Sequence, residues 1–258
     1  MTVHFDVADG VARVTIDRPD RMNAVDASTD AALERVWADI ESRADIRCVV
    51  LSGAGDRAFC AGADLKSDEG ETGLEYWAAA NPNGFGGISL RTSLKVPVIG
   101  RVNGVALGGG FEMVLGCDIV IASETARFGL PEARVGRLPL DGGMVQLSRL
   151  IPRNIAAGVM MAGRMLSAQQ ALDYGLANAV VPTDKLDAEV DAWIADVVRC
   201  APLSLWAIKH TVRQTAHLTP QEARALQTPA LMAALLSEDG EEGVRAFREK
   251  RDPVWQGK

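Results

Sequence analysis

The chain has 258 residues, 48% hydrophobic and 24% charged, which is enough apolar material for one large core and too much for a disordered chain. Its 27 lysines and arginines against 34 aspartates and glutamates leave a formal charge of −7 with no long basic run. Such a field repels nucleic acid and anionic membrane surfaces, so an anionic ligand requires a local basic patch.

The N-terminus lacks a basic region followed by an apolar one, and no segment approaches the ~18 consecutive apolar residues of a membrane span. Cys48, Cys60, Cys117 and Cys200 are scattered with no C-x-x-C pair. These features read as a soluble, cytoplasmic protein with reduced, mostly buried thiols, no disulfide framework and no zinc site.

Val11, Val14 and Ile16 fall in a short strand that ends at Asp17-Arg-Pro-Asp20, and Leu33, Val36, Trp37 and Ile40 then recur at helical spacing. Arg47-Cys-Val-Val-Leu-Ser52, stopped by Gly53-Ala-Gly55, has the continuous apolar character of a strand buried on both faces. Segment 67–87, with Glu69-Gly-Glu-Thr-Gly73 and Asn81-Pro-Asn-Gly84, reads as a mobile loop able to wall a pocket. Val96-Pro-Val-Ile-Gly-Arg-Val102 and Cys117-Asp-Ile-Val-Ile-Ala122 repeat the buried-strand signal around a helical stretch, an alternation that points to an α/β core.

From about residue 140 the chain becomes mainly helical. Ser167-Ala-Gln-Gln170 and Thr219-Pro-Gln-Glu222 read as capping boxes, the second with proline at the first helical position, and Leu186, Val190, Ile194, Val197 and Val198 form a helical stripe. The expected division is an α/β core over 1–190 and a C-terminal helical region over 191–258. His210 and His217 are expected on helix surfaces.

Two small-residue turns, each with an acid, stand out: Cys60-Ala61-Gly62-Ala63-Asp64, and Gly108-Gly109-Gly110-Phe111-Glu112 with Pro131-Glu132 beyond it. Bare backbone amides near two carboxyls suit a reaction in which negative charge develops on a carbonyl oxygen while protons move nearby. Gly108 to Gly110 lie between a strand and the helical run from Phe111 to Leu115, where a ligand oxygen can meet amides and the positive helix end. Equally, the glycines can serve only to let a helix pack closely on a sheet, and spacing alone does not decide. Neither G-x-x-x-x-G-K-[ST] nor G-x-G-x-x-G with its later acid is present, and G-x-S-x-G is absent too.

The motifs together resemble the enoyl-CoA hydratase/isomerase family, also called the crotonase family, along nearly the whole chain. The likeness runs in family order through Arg18-Pro-Asp-Arg-Met-Asn-Ala24, Ala58-Phe-Cys-Ala-Gly-Ala-Asp-Leu-Lys66, Val102-Asn-Gly-Val-Ala-Leu-Gly-Gly-Gly-Phe-Glu112 and Phe128-Gly-Leu-Pro-Glu132. It leans to the carnitinyl-CoA dehydratase branch through Gly110-Phe-Glu112, Leu130-Pro-Glu-Ala133, Ala201-Pro-Leu203, Ser237-Glu-Asp239 and Glu249-Lys-Arg-Asp-Pro-Val-Trp255. The implied fold is a crotonase-like α/β spiral of repeated ββα units with a C-terminal helical oligomerisation region, and the implied assembly is a homotrimer or a dimer of trimers.

The resemblance implies reversible addition of water to an enoyl-CoA, with the amides of Ala63 and Gly109 holding the thioester oxygen. Glu112 looks like the residue that activates water and Glu132 like the one that protonates the α-carbon. Arg21, Met22, Ala24, Ala61, Ala63, Asp64, Leu65, Lys66 and Gly109 would bind the acyl-CoA, with Phe247 and Lys250 reaching the nucleotide of a neighbouring subunit. Coenzyme A is then part of the substrate, and no cofactor or metal is implied.

Departures from the family pattern bear on the acyl group. Pro139-Leu-Asp-Gly-Gly143 stands where many hydratases carry Pro-Gly-Ala-Gly-Gly, and Asp141 reads as the N-cap of a helix beginning near Gly142 rather than a third acid. Leu140 can narrow the pocket. Tyr76, Trp77 and Phe85 can form an aromatic wall for a trimethylammonium group, although packing of the loop is the simpler role. Isomerisation within the family, thioester hydrolysis and non-catalytic acyl-CoA binding stay open as alternatives.

Overall fold

The computed structural model describes residues 2–66, 72–79 and 81–258. Strands β1 (Val3–Ala8) and β2 (Val11–Ile16) pair antiparallel across Asp9 and Gly10, both at positive φ (50° and 76°), the backbone that a tight hairpin requires. Asp26 starts α1 (Ala27–Ser42) by accepting the Thr29 amide at 2.8 Å, and Leu33, Trp37 and Ile40 are buried on one face of that helix. Then β3 (Cys48–Gly53) runs parallel to β2, and β4 (Ala58–Cys60) departs for another sheet.

Of the expected loop 67–87, residues 67–71 and 80 lie outside the described residues. The remainder is not all loop. Thr72 and Glu75 form a reciprocal capping box that opens α2 (Gly73–Ala78), and Phe85–Gly87 makes one 3-10 turn.

Next come β5 (Val98–Val102), β6 (Val105–Leu107), α3 (Gly109–Leu115), β7 (Ile119–Ser123), β8 (Arg127–Gly129), α4 (Gly143–Leu150), α5 (Arg153–Ala162), β9 (Leu166–Ser167), α6 (Ala168–Asp173) and β10 (Ala179–Val181). The chain closes with α7 (Leu186–Val198), α8 (Pro202–Gln214), α9 (Pro220–Ala225), α10 (Pro229–Leu235) and α11 (Glu238–Glu249). Both capping boxes expected from sequence, Ser167 with Gln170 and Thr219 with Glu222, are formed.

The strands form two sheets, ordered β1-β2-β3-β5-β7-β10 and β4-β6-β8-β9, and from β3 to β8 they alternate between them. Each repeat therefore adds one parallel strand to each sheet before its helix, which is the expected spiral of ββα units with helices at the C-terminus. Alternate residues of β3 serve opposite faces. Val49 and Leu51 join the large core that contains Trp37, Phe59, Phe111 and Phe128, whereas Cys48 and Val50 pack with Leu186, Val190, Ile194 and Val197 of α7. The division expected at 190/191 thus falls inside α7, whose buried face continues across it onto the sheet.

Helix α8 is clamped where Lys209, almost fully buried, meets Asp118 at 2.8 Å and the Val96 carbonyl at 2.7 Å, while Arg213 takes the other oxygen of Asp118. His210 is half-buried in α8 and His217 sits in the turn after it, so neither is the exposed helical residue expected. Among the described residues no helix is long and apolar enough to cross a membrane.

What positions the two turns is close backbone contact. A Cβ on Gly110 would lie 2.1 Å from the Cys60 carbonyl oxygen, so only glycine lets α3 rest on the end of β4. Behind this contact, the buried side chains of Asn23 and Asn103 both donate to the Ala58 carbonyl, at 2.8 and 3.0 Å. Gly110→Ala should therefore cost ~3 kcal/mol or more in urea unfolding, because backbone must yield. Gly158→Ala, in the open interior of α5 with nothing within 4 Å of the new methyl, should be neutral or stabilise by ~0.5–1 kcal/mol. Equal effects from the two would refute the close-contact assignment.

Candidate active site

Residues 61–64 lie beside 22–25. The Ala61 amide donates to Met22 O at 3.0 Å, Val25 N to Gly62 O at 2.9 Å, and Asp64 N to Val25 O at 2.9 Å. In this parallel bridge Ala63 pairs with Val25 through its neighbours' groups, so its own N–H points to the opposite side. That side holds the second turn: a Cβ on Gly62, whose φ is 92°, would sit 2.9 Å from Leu107 O and 3.3 Å from Gly109 N.

Gly108, at φ 54°, turns the chain from β6 into α3, and its carbonyl accepts the amides of Phe111 and Glu112 at 2.8 and 3.0 Å. Gly109 opens the helix, so its N–H has no intrahelical acceptor. A Cβ on Gly109 would strike the Phe85 ring at 2.5 Å. The triplet thus serves both readings left open by its spacing: Gly110 for close packing, and Gly108 with Gly109 for a turn that leaves an amide available.

Two carboxyls face this turn. Glu112, in the first turn of α3, is 3% exposed, and its Oε1 accepts the Gly143 amide at 2.8 Å. Burial pushes its pKa up to about 8, opposed by the Gly143 amide and reinforced by the charges of Asp141 and Glu132. Glu132, in the 3-10 turn Glu132–Val135, places Oε1 3.2 Å from where a Cβ on Gly108 would stand. Its Oε2 is buried with no hydrogen-bond partner among the described residues, and burial raises its proton affinity as well.

Asp141 does not cap a helix. Gly142, at φ 109°, occupies the cap position of α4 without a side-chain bond, while Asp141 is 7% exposed and accepts the Tyr76 hydroxyl at 2.6 Å and the Phe85 amide. Its own amide donates to Glu112. The turn into α4 is made by glycine, which frees the aspartate side chain to point inward. Of the three aromatic residues considered for a wall, Tyr76 and Phe85 contact this group, whereas Trp77 is 69% exposed. Sequence reading missed the Tyr76–Asp141 link and the two buried asparagines; the Thr72-x-x-Glu75 spacing was the available sign that Tyr76 sits on a helix.

The residues expected to bind the remainder of the ligand divide into two sets. Met22 and Asn23 take left-handed conformations (φ 55° and 56°) that lay 22–24 along 61–64, with Ala24 buried, Arg21 exposed at the end of the 3-10 turn Pro19–Arg21, and Leu65 and Lys66 exposed beyond Asp64. The Asp64 carboxylate is held by Arg18 at 3.0 Å, and Arg18 also binds Asp26 at 2.8 Å and the Ala24 carbonyl. Arg18 and Asp64 therefore brace the turn with their side chains. Phe247, 84% exposed, and Lys250 lie at the end of α11, and no hydrogen bond or ion pair among the described residues joins them to the turns. Cys60 is buried beneath the first turn and burial drives its thiol pKa up to about 12, as befits a packing residue rather than a nucleophile.

A family model described as enoyl-CoA hydratase/isomerase matches residues 6–258. Carnitinyl-CoA dehydratases of Citrobacter koseri and Salmonella typhimurium are each 37% identical to this chain over 262 aligned positions, covering 100% of it and 99% of their own length. Solved enoyl-CoA hydratases are similar throughout. That of Bacillus anthracis gives a TM-score of 0.91 at 30% identity over 100% of both chains, and that of Mycobacterium tuberculosis H37Rv gives 0.90 at 30% identity over 100% of this chain and 99% of its own.

The raised proton affinity of Glu112 has a consequence for stability. An unfolded glutamate titrates at its model value of 4.5 and the folded one near 8, so between these values the native state binds more protons and stability falls as pH rises. Glu112→Gln removes that dependence. Relative to wild type it should gain roughly 1–3 kcal/mol in urea unfolding between pH 5 and pH 8.5. A difference between the two proteins that stays constant over this range would contradict the buried, protonated carboxyl.

Proposed function

The chain belongs to the enoyl-CoA hydratase/isomerase family, and from that premise we propose that it is a hydro-lyase acting on an acyl-CoA thioester, adding water across an α,β-double bond or removing it. One observation carries the reading. Two carboxyls of raised proton affinity stand beside the turns that present the Ala63 and Gly109 amides.

In the hydration direction the thioester oxygen accepts hydrogen bonds from those amides. As water adds to the β-carbon, the double-bond electrons shift toward that oxygen, where the fixed donors stabilise the enolate without reorganising. Glu112 takes the proton of the attacking water and Glu132 delivers one to the α-carbon; dehydration reverses both transfers. Ionised Glu112 is the competent base, so hydration should gain rate as pH rises toward about 8. A double-bond shift needs no held water and can proceed with one acid, so the paired carboxyls favour the hydro-lyase reaction.

Arg21, Met22, Ala24, Ala61, Leu65, Lys66 and the Asp64 backbone are assigned to the CoA portion, with Phe247 and Lys250 contributed by a neighbouring subunit of a homotrimer or a dimer of trimers. The reaction calls for no cofactor beyond the CoA carried by the substrate. A second reading, dehydration of an acyl group bearing a trimethylammonium, is favoured by the acids Asp30 and Asp141, which face one another with no basic side chain paired to either among the described residues.

The deciding assay follows crotonyl-CoA absorbance together with free thiol. Wild type should lose enoyl absorbance without releasing thiol, and Glu112→Gln and Glu132→Gln should each lose ~10²–10⁴-fold in kcat. Thiol release in step with substrate loss would replace this reading with thioester hydrolysis. If crotonyl-CoA is inert and a trimethylammonium acyl-CoA is turned over, the second reading stands.

Ala63→Pro separates backbone from side chain at the first turn. A folded Ala63→Pro enzyme should lose ~3–4 kcal/mol of transition-state stabilisation, whereas Ala63→Gly should stay close to wild type. Full turnover by the proline variant would remove Ala63 from the oxyanion site.

A further inference from the structure

The addition of water assigned above gives no role to Asp141, the buried acid beside Glu112. Asp141 is fixed at both ends: its carboxyl accepts the Tyr76 hydroxyl and the Phe85 amide, and its own N–H, with that of Gly143, donates to Glu112. The segment between them is Gly142-Gly143, the most permissive backbone a turn can have. Such a turn needs an outside anchor if its amides are to hold a carboxylate in one place, and the Asp141 side chain is the group that supplies it.

Tyr76 ties this anchor to α2. The other residues of that helix are exposed, including Leu74 and Trp77, and Tyr76 makes its one side-chain hydrogen bond to the body among the described residues. We propose that Asp141 is a positioning residue for Glu112 and that Tyr76 anchors it, so that one hydrogen-bonded chain sets both helix α2 and the Glu112 carboxyl. This assignment rests on the role given to Glu112 above.

The charged and titratable groups around the chain come from every element packed there. Glu112 is faced by Asp141, by Glu132 from its 3-10 turn and by the Tyr76 phenol from α2; Asp141 is also faced by Asp30 of α1. All are acids, and among the described residues no lysine or arginine is ion-paired to Glu112, Glu132, Asp141 or Asp30. Asp141→Asn keeps an oxygen for Tyr76 while deleting a negative charge beside Glu112, so the Glu112 carboxyl should release its proton more readily. Tyr76→Phe keeps the charge and deletes the anchor.

Carbon-13 NMR of the Glu112 carboxyl, assigned through Glu112→Gln, tests the chain without any substrate. In Asp141→Asn its titration midpoint should fall by about half a pH unit or more. In turnover, Tyr76→Phe should lose ~10-fold in kcat with KM within about threefold, since misplacing a proton-transfer group affects the chemical step. The double variant Tyr76→Phe, Asp141→Ala should be no slower than Asp141→Ala, because both remove one anchor.

An unchanged Glu112 midpoint in Asp141→Asn, or wild-type kcat in a folded Tyr76→Phe, overturns the inference. Should Asp141→Ala not fold, Tyr76→Phe and Asp141→Asn still decide it. An active Glu112→Gln enzyme would instead overturn the role of Glu112 itself, and the two failures are thereby distinguished.

Discussion

The architecture depends on one backbone approach: Gly110 at the start of α3 resting on the carbonyl of Cys60 at the end of β4. Strands β4 and β6 are neighbours in the smaller sheet, so the segments that leave their C-terminal ends are already side by side. Removing a side chain from Gly110 and from Gly62 lets those segments touch, which sets the Gly109 amide and the first turn against one another. A methyl group on either glycine would have to displace backbone rather than a flexible side chain. The buried pair Asn23 and Asn103, converging on the Ala58 carbonyl, holds the incoming strand so that this contact cannot relax by sliding.

Acids in this molecule follow two regimes. One set is matched to cations: Asp26 and Asp64 with Arg18, Glu34 and Glu41 with the buried Arg91, and Asp118 with Lys209 and Arg213. Around Gly108 they are matched to amides, a phenol and one another. Amides hold a carboxylate in place without contributing a full positive charge, so burial dominates and proton affinity rises instead of falling. The same burial that weakens the fold as Glu112 ionises is what raises the proton affinity of both groups.

Much of this was legible in the sequence, and the limits have physical causes. The buried strands of the larger sheet, α1, α7 and both later capping boxes are long or patterned enough to declare themselves by period. The smaller sheet is built from strands of two or three residues, too short for any alternation to register, and two of them, β4 and β6, run directly into the glycine motifs that read as turns. The position 190/191 lies within α7, because the stripe from Leu186 to Val197 specifies a buried helical face and not what that face packs against. Asp141 was misassigned for a similar reason: Asp before Gly-Gly has the composition of a helix cap, while its true partners come from Tyr76 and Phe85, more than fifty residues earlier in the chain.

That misassignment separates two kinds of constraint in this chain. The glycine contacts and amide-bearing turns can be written by local rules, because a close approach admits only one residue type. The Leu140-Asp141 pair obeys no such rule, and its meaning depends on a phenol delivered by α2 from the far side of the site. A constraint of this sort adds a negative charge and a hydrogen-bonded anchor beside Glu112 without being required by the glycine contacts of the two turns. The backbone contacts that set the two turns and the side-chain chain beside them meet at Glu112 and at Phe85, whose ring packs against Gly109 and whose amide donates to Asp141, so the chain bears on both the buried carboxyl and the turn next to it.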